Sequence, residues 1–189
     1  MHFLISGVPA SGKSSFCRWL EEKKGFLHLD MEKPRVLDRH GLATAWNATF
    51  GASASAAPFV QALDKFNRPV VIDWGFPPEH IDAIRKLFDG GVMLWWFAAD
   101  WVVARRKFEL RRYPHLEDFD IQIRKIEAAL PGINALFRSH VEYALPSTGI
   151  YTPPDKIWNS MLDTLVGPRK MLGLPVHLSP SRNALPKHG

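Results

Sequence analysis

The chain opens with a phosphate-binding loop set between a predicted strand and a predicted helix. Gly7-Val8-Pro9-Ala10-Ser11-Gly12-Lys13-Ser14 matches the pattern G-x-x-x-x-G-K-[ST] in full. The apolar run His2–Ser6 before it predicts a buried strand. The residues after it carry apolar side chains at helical spacing and predict a helix that ends at Gly25. This order of strand, anion-binding turn and helix constrains the fold from the first residues onward.

Each part of the loop has a chemical task. Gly7 and Gly12 let the backbone pass close to phosphate groups, because glycine has no Cβ. The loop N–H groups and the helix N-terminus offer hydrogen-bond donors and a positive dipole end to an anion. We expect Lys13 to reach the β- and γ-phosphates and the Ser14 hydroxyl to bind Mg²⁺. The sequence therefore predicts a site for ATP or a similar nucleoside triphosphate, held by Gly7, Pro9, Ala10, Ser11, Gly12, Lys13, Ser14 and Ser15.

Length and composition favour one domain in a reducing compartment. The chain has 189 residues, of which 46% are hydrophobic and 23% charged, so it can bury a proper core. No apolar run approaches the roughly 20 residues that span a bilayer, and the N-terminal strand leaves no room for a signal peptide. We therefore expect a cytoplasmic protein without a membrane partner. Cys17 is the single cysteine, which excludes an intramolecular disulfide, and its helical position predicts a packed thiol. The eight histidines lack metal-ligand spacing, so the pattern does not predict a zinc site.

The positive charge of the chain is concentrated. The formal net charge is +5. Five of the positively charged residues lie close together in the sequence, Arg105, Arg106, Lys107, Arg111 and Arg112. This cluster favours a segment that faces phosphates over a uniform nucleic-acid surface, although a polynucleotide stays open. In one interpretation Arg105, Arg106 or Arg112 folds over the triphosphate and neutralises its charge. In the other, the cluster is a solvated helical face paired with Glu109, Glu117 and Asp118.

Strands and helices alternate along the chain. Further strands are predicted at 26–30, 69–73, 92–97 and 141–145, the last of them weak. Helices are predicted in pieces over 34–66 and at 78–88, 100–112, 116–130, 133–140 and 154–166. This alternation predicts a doubly wound α/β fold with a five-stranded parallel sheet and right-handed crossovers. The predicted domain covers residues 1–166, and residues 167–189 form a tail with little periodicity.

Acidic residues follow three of the predicted strands, where ligands gather in such sheets. Asp73 is expected to hold Mg²⁺ together with Ser14, and Asp30 to accept the proton of an attacking hydroxyl. The alternative for Asp30 is an N-cap of the next helix, and the alternative for Asp73 is a turn or capping residue. Asp100 is expected to cap the helix after it. Arg35 would steady an anionic acceptor. Trp46 and Trp74 are the tryptophans expected to line a substrate pocket, and Trp19, Trp95, Trp96 and Trp158 are assigned to the core.

The assembled motifs resemble a known group of enzymes. Gly7 to Ser15, Asp30 with Arg35 nearby, Val71-Ile72-Asp73-Trp74-Gly75-Phe76 and the arginine cluster are similar to P-loop kinases related to polynucleotide kinase and zeta toxin. The spacing of Asp30 and Arg35 departs from the D-x-x-R of polynucleotide kinases. The resemblance implies the strand order 2-3-1-4-5 and a helical lid at about 100–118. It also implies transfer of a γ-phosphoryl group to a hydroxyl, with Asp30 as the base.

The sequence thus predicts an ATP- and Mg²⁺-dependent phosphotransferase that acts on a hydroxyl of a small molecule. Its catalytic residues would be Lys13, Asp30, Arg106 and Arg112, with Arg105 on the nucleotide, and Arg35 and Trp74 on the substrate. One alternative is a kinase of polynucleotide or nucleoside 5′-hydroxyls, and another is a nucleotide-binding switch or ATPase. The acceptor, the preference between ATP and GTP, and the oligomeric state stay open.

Overall fold

A computed structural model describes residues 1–51, 55–75, 78–111, 116–137 and 139–166. Its sheet has five strands, β1 (His2–Gly7), β2 (Leu27–Asp30), β3 (Val70–Asp73), β4 (Met93–Ala99) and β5 (Ser139–Leu145). Neighbouring strands pair in parallel in the order β2-β3-β1-β4-β5. The predicted fold class and strand order are therefore confirmed. The order places β1 in the centre, so the loop after it emerges from the middle of the sheet.

The helices of the described residues lie in the connections between strands, except the last, which follows β5. They are α1 (Lys13–Lys24), α2 (Val36–Arg39), α3 (Ala43–Phe50), α4 (Ala57–Asp64), α5 (Ile81–Asp89), α6 (Trp101–Glu109), α7 (Leu116–Leu136) and α8 (Pro154–Val166). A short 3₁₀ turn, Pro78–His80, leads into α5. The Asp100 carboxylate accepts a hydrogen bond of 3.0 Å from the Val103 N–H, which confirms Asp100 as the cap of α6. Within the described part of the chain, no helix has both the length and the apolar character needed to cross a membrane.

Two apolar cores cover the two faces of the sheet. Phe3 and Ile5 of β1 point to one face and pack with residues of α1 and α8, among them Phe16 and Met161. Leu4 points to the opposite face, where α3, α4, α5 and α7 contribute the core. This alternation follows from the two-residue repeat of a strand, and burial on both faces explains why β1 and β3 are apolar almost throughout.

The structure corrects the sequence-based prediction between α7 and β5. A break was expected near Pro131, followed by a second helix over 133–140, and this is wrong. Instead, α7 continues through Pro131 and ends at Leu136. Residues 139 and 140 pair with Trp95 and Trp96 of β4. They therefore belong to strand β5 and not to the helix to which the sequence assigned them. Gly132 allows α7 to approach α5, because a Cβ there would lie 2.8 Å from the Ile81 side chain.

Candidate active site

The phosphate-binding loop is fixed to the neighbouring strand at its first residue. Gly7 ends β1 with a φ of 147°, and a Cβ there would collide with the Phe97 carbonyl and lie 2.7 Å from the Phe97 nitrogen. The next N–H, that of Val8, donates to the Phe97 carbonyl oxygen at 3.0 Å. Only glycine fits this close approach of two backbones, so the packing of β1 against β4 requires Gly7, whereas its predicted approach to phosphate groups stays a prediction.

The tip of the loop is held by a tyrosine from the distant segment after β5. Ala10 and Gly12 have left-handed φ values of 61° and 96°. The Tyr151 hydroxyl donates to the Ala10 carbonyl oxygen at 2.9 Å. Its ring would lie 3.0 Å from a Cβ on Gly12, so a side chain there would press against the ring. No motif marked Tyr151 in the sequence, since its role depends on the strand order that places β5 beside β4.

Lys13 lies across the inside of the loop. Its ammonium donates to the carbonyl oxygens of Gly7 at 3.1 Å and Val8 at 2.9 Å, and the residue is buried. Burial lowers the pKa of Lys13, while the carboxylates of Asp73 and Glu32 oppose this shift. A bound anion would compensate the same desolvation, because it adds a negative charge beside the buried ammonium.

Two carboxylates lie side by side at the ends of β2 and β3. Asp30 and Asp73 are opposite each other in the strand register, and Asp73 is buried. The Asp30 side chain is 17% exposed, and its Oδ1 accepts the Glu32 N–H at 3.2 Å. Its Oδ2 lies 3.5 Å from the Lys33 ammonium. Asp30 thus stabilises the turn after β2. It is not the cap of the next helix, which was the alternative from the sequence, because α2 begins at Val36 with Arg35 at its N-cap.

A cavity of about 410 Å³ opens above the loop. Its wall includes six of the predicted nucleotide-binding residues, the five loop residues Gly7, Pro9, Ala10, Gly12 and Lys13, and Ser14 at the start of α1. The remaining polar residues on the wall did not enter the predicted site; they are Ser6, Glu32, Arg111, Gln122 and Lys125. Trp96, Phe108, Ile126 and Ile133 supply apolar surface. The cavity therefore joins the loop to a mixed polar and apolar chamber, as ligand sites commonly do.

The chamber residues were missed because they come from separate segments. Glu32 follows β2, Arg111 follows α6, and Gln122 and Lys125 lie one helical turn apart on α7. The Lys125 ammonium donates to the Glu79 carboxylate at 2.8 Å, and this hydrogen bond lowers the pKa of Glu79. Arg111 belonged to the basic cluster but had no assigned role. The three-residue spacing on α7 was the one local signal, and it does not identify a site by itself.

Two of the three arginines predicted to meet the nucleotide, Arg105 and Arg106, lie elsewhere on the surface. Arg105 makes hydrogen bonds of 2.8 Å to Glu109 and 3.1 Å to Asp120, so it links α6 to α7. The Asp120 carboxylate raises the pKa of Arg105. Arg106 is exposed on α6. Neither is on the cavity wall, and Arg112 lies outside the described residues. Their roles at the nucleotide stay predictions.

The cavity wall does not include the predicted residues Ser11, Ser15, Arg35, Trp46 and Trp74. Arg35 is exposed at the start of α2 with a left-handed φ of 59°. The Trp74 ring packs against Trp46 at 5.2 Å and stacks on His80 at 6.2 Å, both measured between ring centroids. Trp46 is buried against Phe59, which favours packing over a pocket role. Ser11 is buried and Ser15 is exposed.

The loop and its neighbours fit a triphosphate and Mg²⁺. The Ser11 hydroxyl is buried without a hydrogen-bond partner among the described residues, as a donor reserved for a ligand would be. The positive-φ cradle and the buried ammonium of Lys13 suit a phosphate chain. Ser14 on the cavity wall and Asp73 would supply hydroxyl and carboxylate oxygens, the ligands that Mg²⁺ prefers.

Comparisons with solved structures bear on the fold. A shikimate kinase from Acinetobacter baumannii in complex with shikimate superimposes with a TM-score of 0.55 at 12% identity, over 87% of this chain and 92% of that one. The YorR protein from Bacillus subtilis in complex with phosphorylated GDP gives a TM-score of 0.51 at 13% identity, over 87% and 95%. The chain has the fold of the P-loop kinases. No family model and no curated protein sequence matches it. The narrower resemblance to polynucleotide kinase and zeta toxin stays a prediction.

Proposed function

We propose that the protein is an ATP- and Mg²⁺-dependent kinase that phosphorylates a hydroxyl group of a small molecule. The observation that carries the proposal is the shared cavity. The buried ammonium of Lys13, the Glu32 carboxylate and the Arg111 guanidinium line one space of about 410 Å³. That volume is within the range of small-molecule sites. The solved structures with this fold include one in complex with shikimate, which supports a small hydroxylated acceptor.

The nucleotide side of the proposal uses residues whose geometry is already formed. ATP supplies the γ-phosphoryl group, and Mg²⁺ neutralises part of the charge on its phosphates. Lys13 binds the phosphates, and the loop N–H groups over residues 8–14 orient them. Ser14 and Asp73 would hold the metal ion. The hydrogen bond from the Tyr151 hydroxyl to the Ala10 carbonyl oxygen stabilises the left-handed turn at Ala10, which would preorganise the loop for its ligand.

Two carboxylates at the end of β2 qualify to accept the proton of the acceptor hydroxyl. Asp30 is the residue predicted from the sequence, but its oxygens serve the Glu32 N–H and lie near Lys33. Glu32 is on the cavity wall, and its carboxylate lies 3.2 Å from the position that a Cβ on Gly75 would take. A general base must first lie within reach of the proton that it removes. We therefore assign the role of general base to Glu32, and Asp30 supports it by stabilising the turn after β2.

The test separates the two carboxylates by their effect on transfer and on ATP binding. Glu32→Gln should lower the transfer rate about 100-fold or more while ATP affinity stays unchanged, since a base acts in the transition state. Asp30→Asn should lower the rate less and reduce thermal stability, because it weakens the turn. A larger rate loss in Asp30→Asn at equal stability would return the role to Asp30.

Arg111 supplies the cation that the transferring phosphoryl group needs beyond Lys13. Its guanidinium lines the cavity, and its charge contributes to lowering the pKa of Lys13. Two cations this close repel each other until an anion lies between them. We propose that the segment of about 100–118 closes over bound nucleotide as a lid, with Arg111 as the first arginine to meet the phosphates.

The substrate class is tested by an acceptor panel. Purified protein with ATP and Mg²⁺ is incubated with polyols and sugars, hydroxylated carboxylic acids, nucleosides and 5′-hydroxyl oligonucleotides. ADP release and product mass are measured, with Lys13→Met protein as the control for contaminating kinases. We expect a phosphorylated small molecule. Phosphorylation of oligonucleotides alone would favour the polynucleotide kinase alternative, and ADP release without any acceptor would favour the switch or ATPase.

A further inference from the structure

Three potential metal ligands meet beneath the phosphate-binding loop. Cys17 of α1, His28 of β2 and Asp73 of β3 each direct a ligand atom into one space, and these atoms lie within 4.8 Å of one another. The His28 Nε2 and Asp73 Oδ2 atoms are 3.4 Å apart. Three different elements thus bring together a thiol, an imidazole and a carboxylate, although the histidine spacing in the sequence predicted no zinc site.

Two polar atoms of this cluster, His28 Nε2 and Asp73 Oδ2, are buried and have no hydrogen-bond partner of acceptable geometry among the described residues. The side chains of His28 and Asp73 are 4% and 5% exposed, and Cys17 is fully buried. Buried polar groups normally have partners, so two orphaned ligand atoms aimed at one thiol call for an explanation. Simple apolar packing of Cys17 does not provide it.

We propose that Cys17, His28 and Asp73 form a binding site for a thiophilic divalent cation of the Zn²⁺ class. Sulfur, nitrogen and oxygen are the ligand set of zinc, and Mg²⁺ does not take thiolates. Three protein ligands leave a fourth tetrahedral position for water. On binding, the S–H bond of Cys17 breaks, its proton passes to solvent, and the sulfur–metal bond forms.

The site is distinct from the loop that holds the phosphates, but it shares Asp73 with the proposed magnesium site. A cation bound by Cys17 and His28 would draw on the Asp73 carboxylate and reduce what that carboxylate offers to Mg²⁺. Zn²⁺ should therefore inhibit phosphoryl transfer. This consequence rests on the proposed function, whereas the binding of the cation does not.

Binding is tested with Co²⁺ as a spectroscopic substitute for Zn²⁺ on the full chain. The metal is added to folded protein and also during refolding, so that slow entry into a buried site is not mistaken for lack of binding. Because the chain has a single cysteine, a thiolate-to-cobalt charge-transfer band reports on Cys17 alone. We expect one Co²⁺ per chain with this band, displaced by Zn²⁺, and a higher Tm with metal bound.

Variants locate the site. Cys17→Ser should abolish the charge-transfer band. His28→Gln and Asp73→Asn should each weaken Zn²⁺ affinity at least about tenfold, since even residues that only orient a ligand have effects of that size. His2→Gln is the matched control, because His2 is also a buried strand histidine but hydrogen-bonds Asp64 at 2.9 Å, and it should leave binding unchanged.

A measurement on the unaltered chain covers the case in which a variant does not fold. X-ray absorption of the zinc-loaded protein should show one sulfur and otherwise nitrogen or oxygen ligands. Lack of stoichiometric binding, a bound metal without sulfur, or affinity unchanged in both His28→Gln and Asp73→Asn would each overturn the proposal. Binding with the expected ligands but without inhibition would retain the metal site and contradict only the consequence for phosphoryl transfer.

Discussion

The two sides of the cavity are built in different ways. The phosphate side is one continuous segment, residues 7–14, whose shape is fixed by two contacts from elsewhere, the Phe97 backbone and the Tyr151 hydroxyl. The chamber side takes single residues from the ends of β2 and α6 and from α7. A local motif can specify an anion cradle, because the backbone itself supplies most of the donors. Recognition of an acceptor depends on how distant side chains converge.

The two sides also differ in burial and charge. Lys13 is 8% exposed and hydrogen-bonded to its own loop, so its position hardly depends on what fills the chamber. Lys125 is 50% exposed and paired with Glu79, which is 55% exposed, and this contact can be exchanged at little cost. The phosphate side is preorganised and the chamber side is adaptable. Substitutions should therefore act mainly on structure and binding at the first side and on rate at the second.

The largest effect is expected at the most constrained position of the cradle. Gly7→Ala forces a Cβ against the Phe97 carbonyl and should destabilise the fold by about 3–5 kcal/mol. Gly25→Ala is the matched control, with a left-handed φ of 72° but nothing within 4 Å, and should cost about 1–2 kcal/mol. Urea unfolding of both variants measures the difference. Equal losses would mean that the approach of β1 to β4 does not constrain the loop.

Lys13→Met should separate binding from stability. ATP affinity is expected to fall about 100-fold or more, because the variant removes the buried cation from the phosphates. The Tm should not fall, since the variant keeps the apolar stem and removes a charge whose pKa is lowered by burial. Calorimetric titration and a thermal melt provide the two values. Lys23→Met, an exposed change on the same helix, is the control, and equal ATP affinity in the two variants would contradict the role of Lys13.

What could be predicted from the sequence differs between the phosphate side and the chamber side in the same way. The five-stranded parallel sheet and the loop were predictable, because the strands are apolar runs and the loop is one motif. The strand order was implied by the resemblance to P-loop kinases, and the structure has that order. Residues 139–140 were misassigned to a helix, since pairing with β4 decided their conformation. Glu32 was missed because it carries no local signal, and Gln122 was missed because its three-residue spacing to Lys125 does not identify a site by itself. Arg105 illustrates the reverse case, in which local charge density suggested a ligand contact and the structure shows ion pairs with Glu109 and Asp120.

The smallest effects compare two arginines of the basic cluster. Arg111→Ala should lower the transfer rate about tenfold or more, because it removes a cation from the cavity. Arg105→Ala should change the rate less than about threefold and stability by about 1 kcal/mol or less, since its ion pairs are exposed. Steady-state rates on the acceptor found in the panel decide between them. A larger rate loss in Arg105→Ala would restore Arg105 as the arginine that meets the nucleotide.

The central claim, that the loop after β1 holds a triphosphate and the chamber closes over it, is tested most directly by hydrogen–deuterium exchange. The exchange of each segment is compared with and without a non-hydrolysable ATP analogue and Mg²⁺. We predict strong protection over residues 8–14 and weaker protection over the described parts of 100–118, with neither in Lys13→Met protein. Unchanged exchange over residues 8–14 at saturating analogue would contradict the account.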